Sequence, residues 1–129
     1  IVAIADINPK KVEMVAEEYH IPKERCYASA EEMLKEEKLA DVMFITTQDR
    51  QHVQQAIPAL KKGYHLLLEK PISPDLDECR EIVKVARECN RKVVVCHVLR
   101  YTPVFRKVKE ILDKCGIKTV EKGIGWRVI

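Results

Sequence analysis

The sequence predicts an α/β fold built on a doubly wound parallel sheet, and three observations carry that expectation. Short apolar runs without polar alternation, Val42-Met43-Phe44-Ile45, Leu66-Leu67-Leu68 and Val93-Val94-Val95-Cys96, read as strands buried on both faces. Stretches of helical spacing, about 10 to 15 residues long, alternate with them, and right-handed crossovers then leave successive strands parallel. The run at 65–71, His-Leu-Leu-Leu-Glu-Lys-Pro, ends in polar groups that mark the C-terminal edge of the sheet. In open α/β sheets ligands bind outside that edge, so Glu69 and Lys70 leave the core where such sheets do their chemistry. Pro71 cannot donate to a ladder and fixes its own φ, which ends the strand and restrains the backbone carrying Lys70.

In chain order, residues 1–5 are apolar and β-branched and form a predicted strand that stops at Asp6. Asn8 and Pro9 supply a helix cap and a favoured first helical residue, with Val12, Val15, Ala16 and Tyr19 on one face. A short strand fits at 26–28. Ser29 and Glu32 have capping-box spacing ahead of Met33 and Leu34. The strand over 41–46 feeds the polar segment 47–52, and a helix over 51–62 ends at Gly63 as its C′ residue, with Pro58 expected to bend or divide it. After the 65–69 strand, Ser73 and Pro74 open a helix to about Asn90 whose inward stripe is Leu76, Cys79, Ile82, Val83 and Ala86. A two-sided strand over 92–98 follows. Thr102 and Pro103 then start a helix facing inward through Val104, Phe105, Val108, Ile111 and Leu112, closed by Gly116. The stretch 117–129, with Gly123, Gly125 and Trp126, has room for one strand.

With 47% hydrophobic and 33% charged residues at a net charge of +3, the composition is that of an ordinary globular domain, too weakly basic to imply a nucleic-acid partner. An aromatic content of 5% also argues against a base-stacking platform. No apolar run approaches the about 20 residues of a membrane span. Cys26, Cys79, Cys89, Cys96 and Cys115 are odd in number, form no Cys-x-x-Cys pair and read as reduced small hydrophobes, which points to a cytoplasmic protein. The chain opens at Ile1 inside an apolar run, without an initiator Met, and an incomplete chain is expected.

Several residues have both a functional and an ordinary reading. Asp6, at the end of a parallel strand, stands where dinucleotide folds place a carboxylate on a ribose 2′-hydroxyl, and equally where a capping Asp precedes a helix. As a ribose ligand it would repel a 2′-phosphate and favour NAD over NADP. The segment with Thr47, Gln48 and His52 lies between a strand and a helix N-terminus, able to face phosphate or ribose, or to serve as a capped loop. Glu69 and Lys70 are either a surface ion pair or a site in which a partly desolvated lysine gives and takes a proton. His97 reads as a core or edge residue, and Arg100 as an anion contact or a salt-bridge partner. No cluster has metal-ligand spacing.

Taken together, Ala5-Asp6-Ile7-Asn8-Pro9, Asp41-Val42 leading to Thr47 and His52, Gly63-Tyr64-His65, Glu69-Lys70-Pro71 and the segment 97–103 resemble the nucleotide-binding half of the glucose-fructose oxidoreductase and inositol dehydrogenase family (Gfo/Idh/MocA). The likeness runs to about Gly116. It implies a Rossmann-like domain over 1–116 lacking its first strand and glycine-rich turn, with 117–129 as the start or remnant of a second domain. In the 3-2-1-4-5-6 strand order the absent strand is the central one, and the expectation is either that this chain is a piece of a larger protein or that another segment, for instance 126–129, or a partner chain fills the gap. Where the family loop reads Thr-Pro-Asn-x-x-His, this chain has Gln48 and Asp49.

The resemblance further implies an NAD(P)-dependent oxidoreductase that moves a hydride to or from a hydroxyl carbon of a sugar, cyclitol or related small molecule, with no nucleic-acid or membrane partner and a homo-oligomeric state. NAD is the expected cofactor. Lys70 is the implied catalytic residue, beside the nicotinamide and the substrate hydroxyl. Asp6, Thr47, Gln48, His52, Glu69, Lys70, Pro71 and Arg100 are the implied cofactor-binding residues, with Pro71 in a peptide bond that is often cis in the family. The alternative is a non-catalytic nucleotide-sensing or interaction module on the same fold.

Overall fold

The computed structural model describes residues 1–116. The possible strand over 117–129 lies outside the described residues, and the predicted domain boundary at 116 coincides with their end. Contacts divide the chain into two compact units, one spanning Ile1–Cys96 and one beginning at His97.

The first unit alternates strands and helices as expected: β1 (Ile4–Ala5), α1 (Pro9–Tyr19), β2 (Cys26–Tyr27), α2 (Ala30–Met33), β3 (Val42–Ile45), α3 (His52–Lys61), β4 (His65–Glu69), α4 (Leu76–Glu88) and β5 (Val93–Cys96). All pairing is parallel. β1 pairs with β2, and β4 lies between β3 and β5, in register Ile45 to Leu68 on one side and Leu68 to Val95 on the other. No ladder joins β1 to β3. The described strands thus form two parallel sheets, one of two strands and one of three, and the β1–β2 ladder holds two residues on each strand.

Local chemistry explains most boundaries. The Asn8 side chain accepts from the Lys10 N–H at 3.0 Å and Pro9 takes the first helical position of α1. The Glu32 N–H donates to Ser29 Oγ, while the Glu32 carboxylate reaches back to the Ala28 N–H, one residue ahead of the usual capping-box partner. α3 ends in a Schellman motif: Gly63, at φ +95°, donates to Leu60 O and Tyr64 donates to Ala59 O. Pro58 neither ends nor divides α3. Gln54 and Pro58 are both exposed, so the lost helical hydrogen bond falls on the outer side of α3, while Ala56, Ala59 and Leu60 anchor the opposite side in the core.

The core lies on one face of the three-stranded sheet. Met43, Ile45, Leu66 and Leu68 pack with Val53, Ala56, Ala59 and Leu60 of α3 and with Ile82, Val85 and Ala86 of α4. The opposite face corrects the two-sided reading: Val42 is 47%, Phe44 62% and Val94 58% exposed. An unbroken apolar run cannot show which of its faces a helix will cover, and here α3 and α4 cover the face of Met43, Ile45, Leu66 and Leu68. The stripe of α4 is also turned from the expected one, with Leu76 and Val83 exposed and Val85 buried. Its cap is Asp75, whose carboxylate accepts from the Asp77 and Glu78 N–H groups, where Ser73 was expected. A carboxylate satisfies two end donors and suits the positive end of the helix dipole. Ser73 is buried behind it, accepting from the Asp75 N–H and donating to the Glu78 carboxylate.

In the second unit, a 3-10 turn over Val98–Tyr101 leads to α5 (Pro103–Lys114), and Gly116 follows with φ +67°. His97 is exposed at the start of this turn, outside any strand. No residue of α5 is buried, and Val104, Val108 and Ile111, expected to face inward, are exposed. Thr102 turns its hydroxyl back to Leu99 O and leaves the N-terminus of α5 without a side-chain cap.

Candidate active site

Three of the predicted site segments follow the carboxyl ends of their strands, two of them in the three-stranded sheet. Asp6 follows β1, Thr47 follows β3 by one residue, and Lys70 follows β4 directly. The β3–β4 ladder stops at Ile45 and Leu68, so Thr47 and Lys70 lie on two turns that the sheet itself no longer holds together.

Asp6 has the capping geometry: its Oδ1 accepts from the Asn8 N–H at 2.8 Å, and Oδ2 lies 3.9 Å from the Lys11 ammonium. The short Asx turn leaves the carboxylate at the rim with its side chain 31% exposed, able to accept further donors.

Thr47 donates its hydroxyl to Gln55 Oε1 at 2.8 Å, which ties the turn to the second turn of α3. Gln48 is exposed, with extended backbone, and opens a 3-10 turn over Asp49–Gln51, its carbonyl accepting from the Gln51 N–H. His52 begins α3 with no accessible surface. Its Nδ1 lies 2.8 Å from the Pro71 carbonyl oxygen and its Nε2 3.0 Å from that of Thr47.

Glu69 is half-buried and its carboxylate accepts the Lys70 N–H at 3.2 Å. The Lys70 side chain is exposed, which differs from the partial burial expected of it: the apolar part of β4 ends at Leu68, one residue short of a position that would enclose the stem. The Lys70–Pro71 peptide bond is cis. Arg100 lies in the second unit, on the 3-10 turn, with its N–H donated to His97 O.

The structure therefore brings Thr47, His52 and Pro71 into one hydrogen-bonded group, with Lys70 attached to it through the chain. Sequence reasoning missed Gln55, buried to 6% exposure and completing that group. A polar residue three positions after His52, on the helical face of Val53, Ala56 and Ala59, was the available signal. Among the described residues no cluster of His, Cys, Asp or Glu could hold a metal ion, and no helix is long and apolar enough to cross a membrane.

Residues 1–97 match the family model of the Gfo/Idh/MocA oxidoreductases, described as an oxidoreductase family with an NAD-binding Rossmann fold. An oxidoreductase of Formosa agariphila is 35% identical over 89 residues, which is 69% of this chain and 28% of that protein. The trans-1,2-dihydrobenzene-1,2-diol dehydrogenase of Xenopus tropicalis is 27% identical over 121 residues, 94% of this chain and 36% of that one. Among solved structures, the WlbA dehydrogenase from Chromobacterium violaceum in complex with NADH and UDP-GlcNAcA superposes with a TM-score of 0.75 at 25% identity, covering 88% of this chain and 32% of that one. The chain thus spans about a third of the length of these relatives. With parallel strands alternating with helices, a Glu-Lys-Pro turn at the carboxyl edge of the three-stranded sheet and the family pattern matched over three quarters of its length, the chain belongs to the Gfo/Idh/MocA oxidoreductase family.

Proposed function

We propose that the full-length protein is an NAD-dependent dehydrogenase acting on a hydroxyl carbon of a sugar, cyclitol or related polyol, with Lys70 as its proton relay. The observation that carries this reading is the grouping of the Thr47 and Lys70 turns at the carboxyl edge, where an open α/β sheet takes its ligand.

The rim residues fit a dinucleotide. Asp6 keeps an accessible carboxylate past β1 for ribose hydroxyls, and its charge disfavours a 2′-phosphate, which supports NAD over NADP. The exposed Thr47 and Gln48 turn ahead of α3 offers backbone and side-chain donors to the nucleotide, and Glu69 and Pro71 would shape the nicotinamide side. Bound NAD supplies the carbon that accepts a hydride from the substrate.

Oxidising an alcohol to a carbonyl releases a hydride from carbon and a proton from oxygen. Lys70, on an exposed side chain at the rim, is the group placed to take the hydroxyl proton and to return it in the reverse direction. Arg100 is assigned to the cofactor by the family resemblance.

The test is titration of the full-length protein with NADH, followed by a panel of polyols and sugar acids with NAD. Binding together with turnover supports the reading. NADH binding without turnover on any of them would favour a nucleotide sensor, and failure to bind NADH removes both.

A further inference from the structure

We propose that His52 is a positioning residue of this site, a buried strap that sets the spacing between the turn after β3 and the turn after β4 and so fixes where Lys70 is presented. This rests on the dehydrogenase reading above and adds to it a residue whose function is geometric.

His52 has no accessible surface, so in this arrangement its ring cannot touch a cofactor lying at the rim. Its partners are the carbonyl oxygens of Thr47 and Pro71, on opposite sides of the ring and 5 and 19 residues away along the chain. The ladder between β3 and β4 ends at Ile45 and Leu68, and beyond it the His52 ring lies within hydrogen-bond distance of both turns. The ring stands at the first position of α3, and α3 is anchored in the core through Val53, Ala56 and Leu60. The strap therefore refers both turns to the most buried helix of the unit.

The chemistry asks for a donor. Both partners are acceptors, so each ring nitrogen that carries a hydrogen donates to the carbonyl it faces, and a nitrogen without one only packs against its oxygen. An apolar ring of similar size would fill the space and leave both carbonyls without it, and buried carbonyls are rarely left unpaired.

The test uses the full-length protein with His52→Phe, which keeps volume and removes every donor, and His52→Gln, whose amide carries two N–H groups. With NADH as probe of the Thr47 and Gln48 turn that the ring holds, His52→Phe is expected to bind about tenfold more weakly and His52→Gln to recover to within about threefold of wild type, the change expected for loss and return of one buried hydrogen bond. In backbone amide spectra the resonances of 47–51 and 69–73 should shift together in His52→Phe. NADH affinity of His52→Phe equal to wild type, a His52→Gln variant no better than His52→Phe, or shifts confined to one turn would each overturn the proposal. If His52→Phe does not fold, the wild-type ring decides: a ring N–H protected from solvent exchange supports the strap, and a ring exchanging at the rate of free imidazole removes it. Failure of the wild type to bind NADH would sink the dehydrogenase reading alone, because the amide and ring N–H measurements need no cofactor.

Discussion

The hydroxyl of Thr47 donates to the side-chain oxygen of Gln55 at 2.8 Å, and Gln55 is almost fully buried while Thr47 is exposed. The exposed partner thus satisfies the buried one, and the two substitutions that break the bond are unequal. Thr47→Val leaves a buried amide oxygen without its donor and should lower the stability of the full-length protein by about 1 to 2 kcal/mol. Thr47→Ser restores the donor and should recover most of that loss. Urea unfolding midpoints measure both, and a Thr47→Val protein as stable as wild type would show that water replaces the threonine hydroxyl at no cost.

Lys70 is predicted to be required for proton transfer and dispensable for holding the dinucleotide. Lys70→Ala should reduce turnover about 10²- to 10⁴-fold while NADH affinity stays within a few-fold of wild type. Lys70→Arg should not rescue, because a guanidinium keeps its proton. Steady-state rates beside NADH titration separate the two effects. Full turnover in Lys70→Ala would remove the residue from the chemistry.

Asp6 has a local and a distal role to separate. Asp6→Ser keeps an oxygen that can accept the Asn8 N–H, so α1 should retain its start, but the negative charge is gone. Removing a charge near a 2′-phosphate is worth on the order of 1 to 2 kcal/mol at a partly exposed site, so the preference for NADH over NADPH should fall about tenfold. Paired NADH and NADPH titrations read it directly. An unchanged preference would leave Asp6 as a capping residue only.

What the sequence disclosed follows from how locally each feature is determined. β4 has its predicted bounds because three leucines between His65 and Glu69 admit little else, and the Gly63 ending of α3 needs only a residue at ease with positive φ. Exposure is set non-locally. Val42 and Phe44 belong to the same apolar run as Met43 and Ile45, and what distinguishes the two faces is that α3 and α4 pack on the second pair, a matter of tertiary contact. The cap of α4 went to Asp75 over Ser73 through a competition between neighbours that residue type alone does not decide. His52 marked a site segment in the sequence, but its two acceptors are backbone carbonyls, which leave no trace in residue identity.

Charge near the start of the three-stranded sheet gives a pH signature away from the proposed active site. The Asp41 carbonyl accepts the His65 N–H at the head of the β3–β4 ladder, and its carboxylate accepts from the Lys38 ammonium at 3.0 Å. That hydrogen bond, reinforced by the Lys38 charge and more weakly by His65 and Arg91, holds the Asp41 carboxyl below its ordinary value against a small opposing effect of desolvation. A depressed folded-state value means that the contribution to stability is present above the unfolded value and is lost as pH falls through the folded one. Lys38→Met should therefore raise the Asp41 midpoint in an NMR pH titration and shift part of the acid limb of unfolding upward. Because the Asp41 side chain is 91% exposed, concentrated salt should move the wild-type midpoint the same way, leaving little of the effect in the stability itself. An Asp41 midpoint indifferent to both the substitution and salt would mean that the ion pair is not maintained in solution.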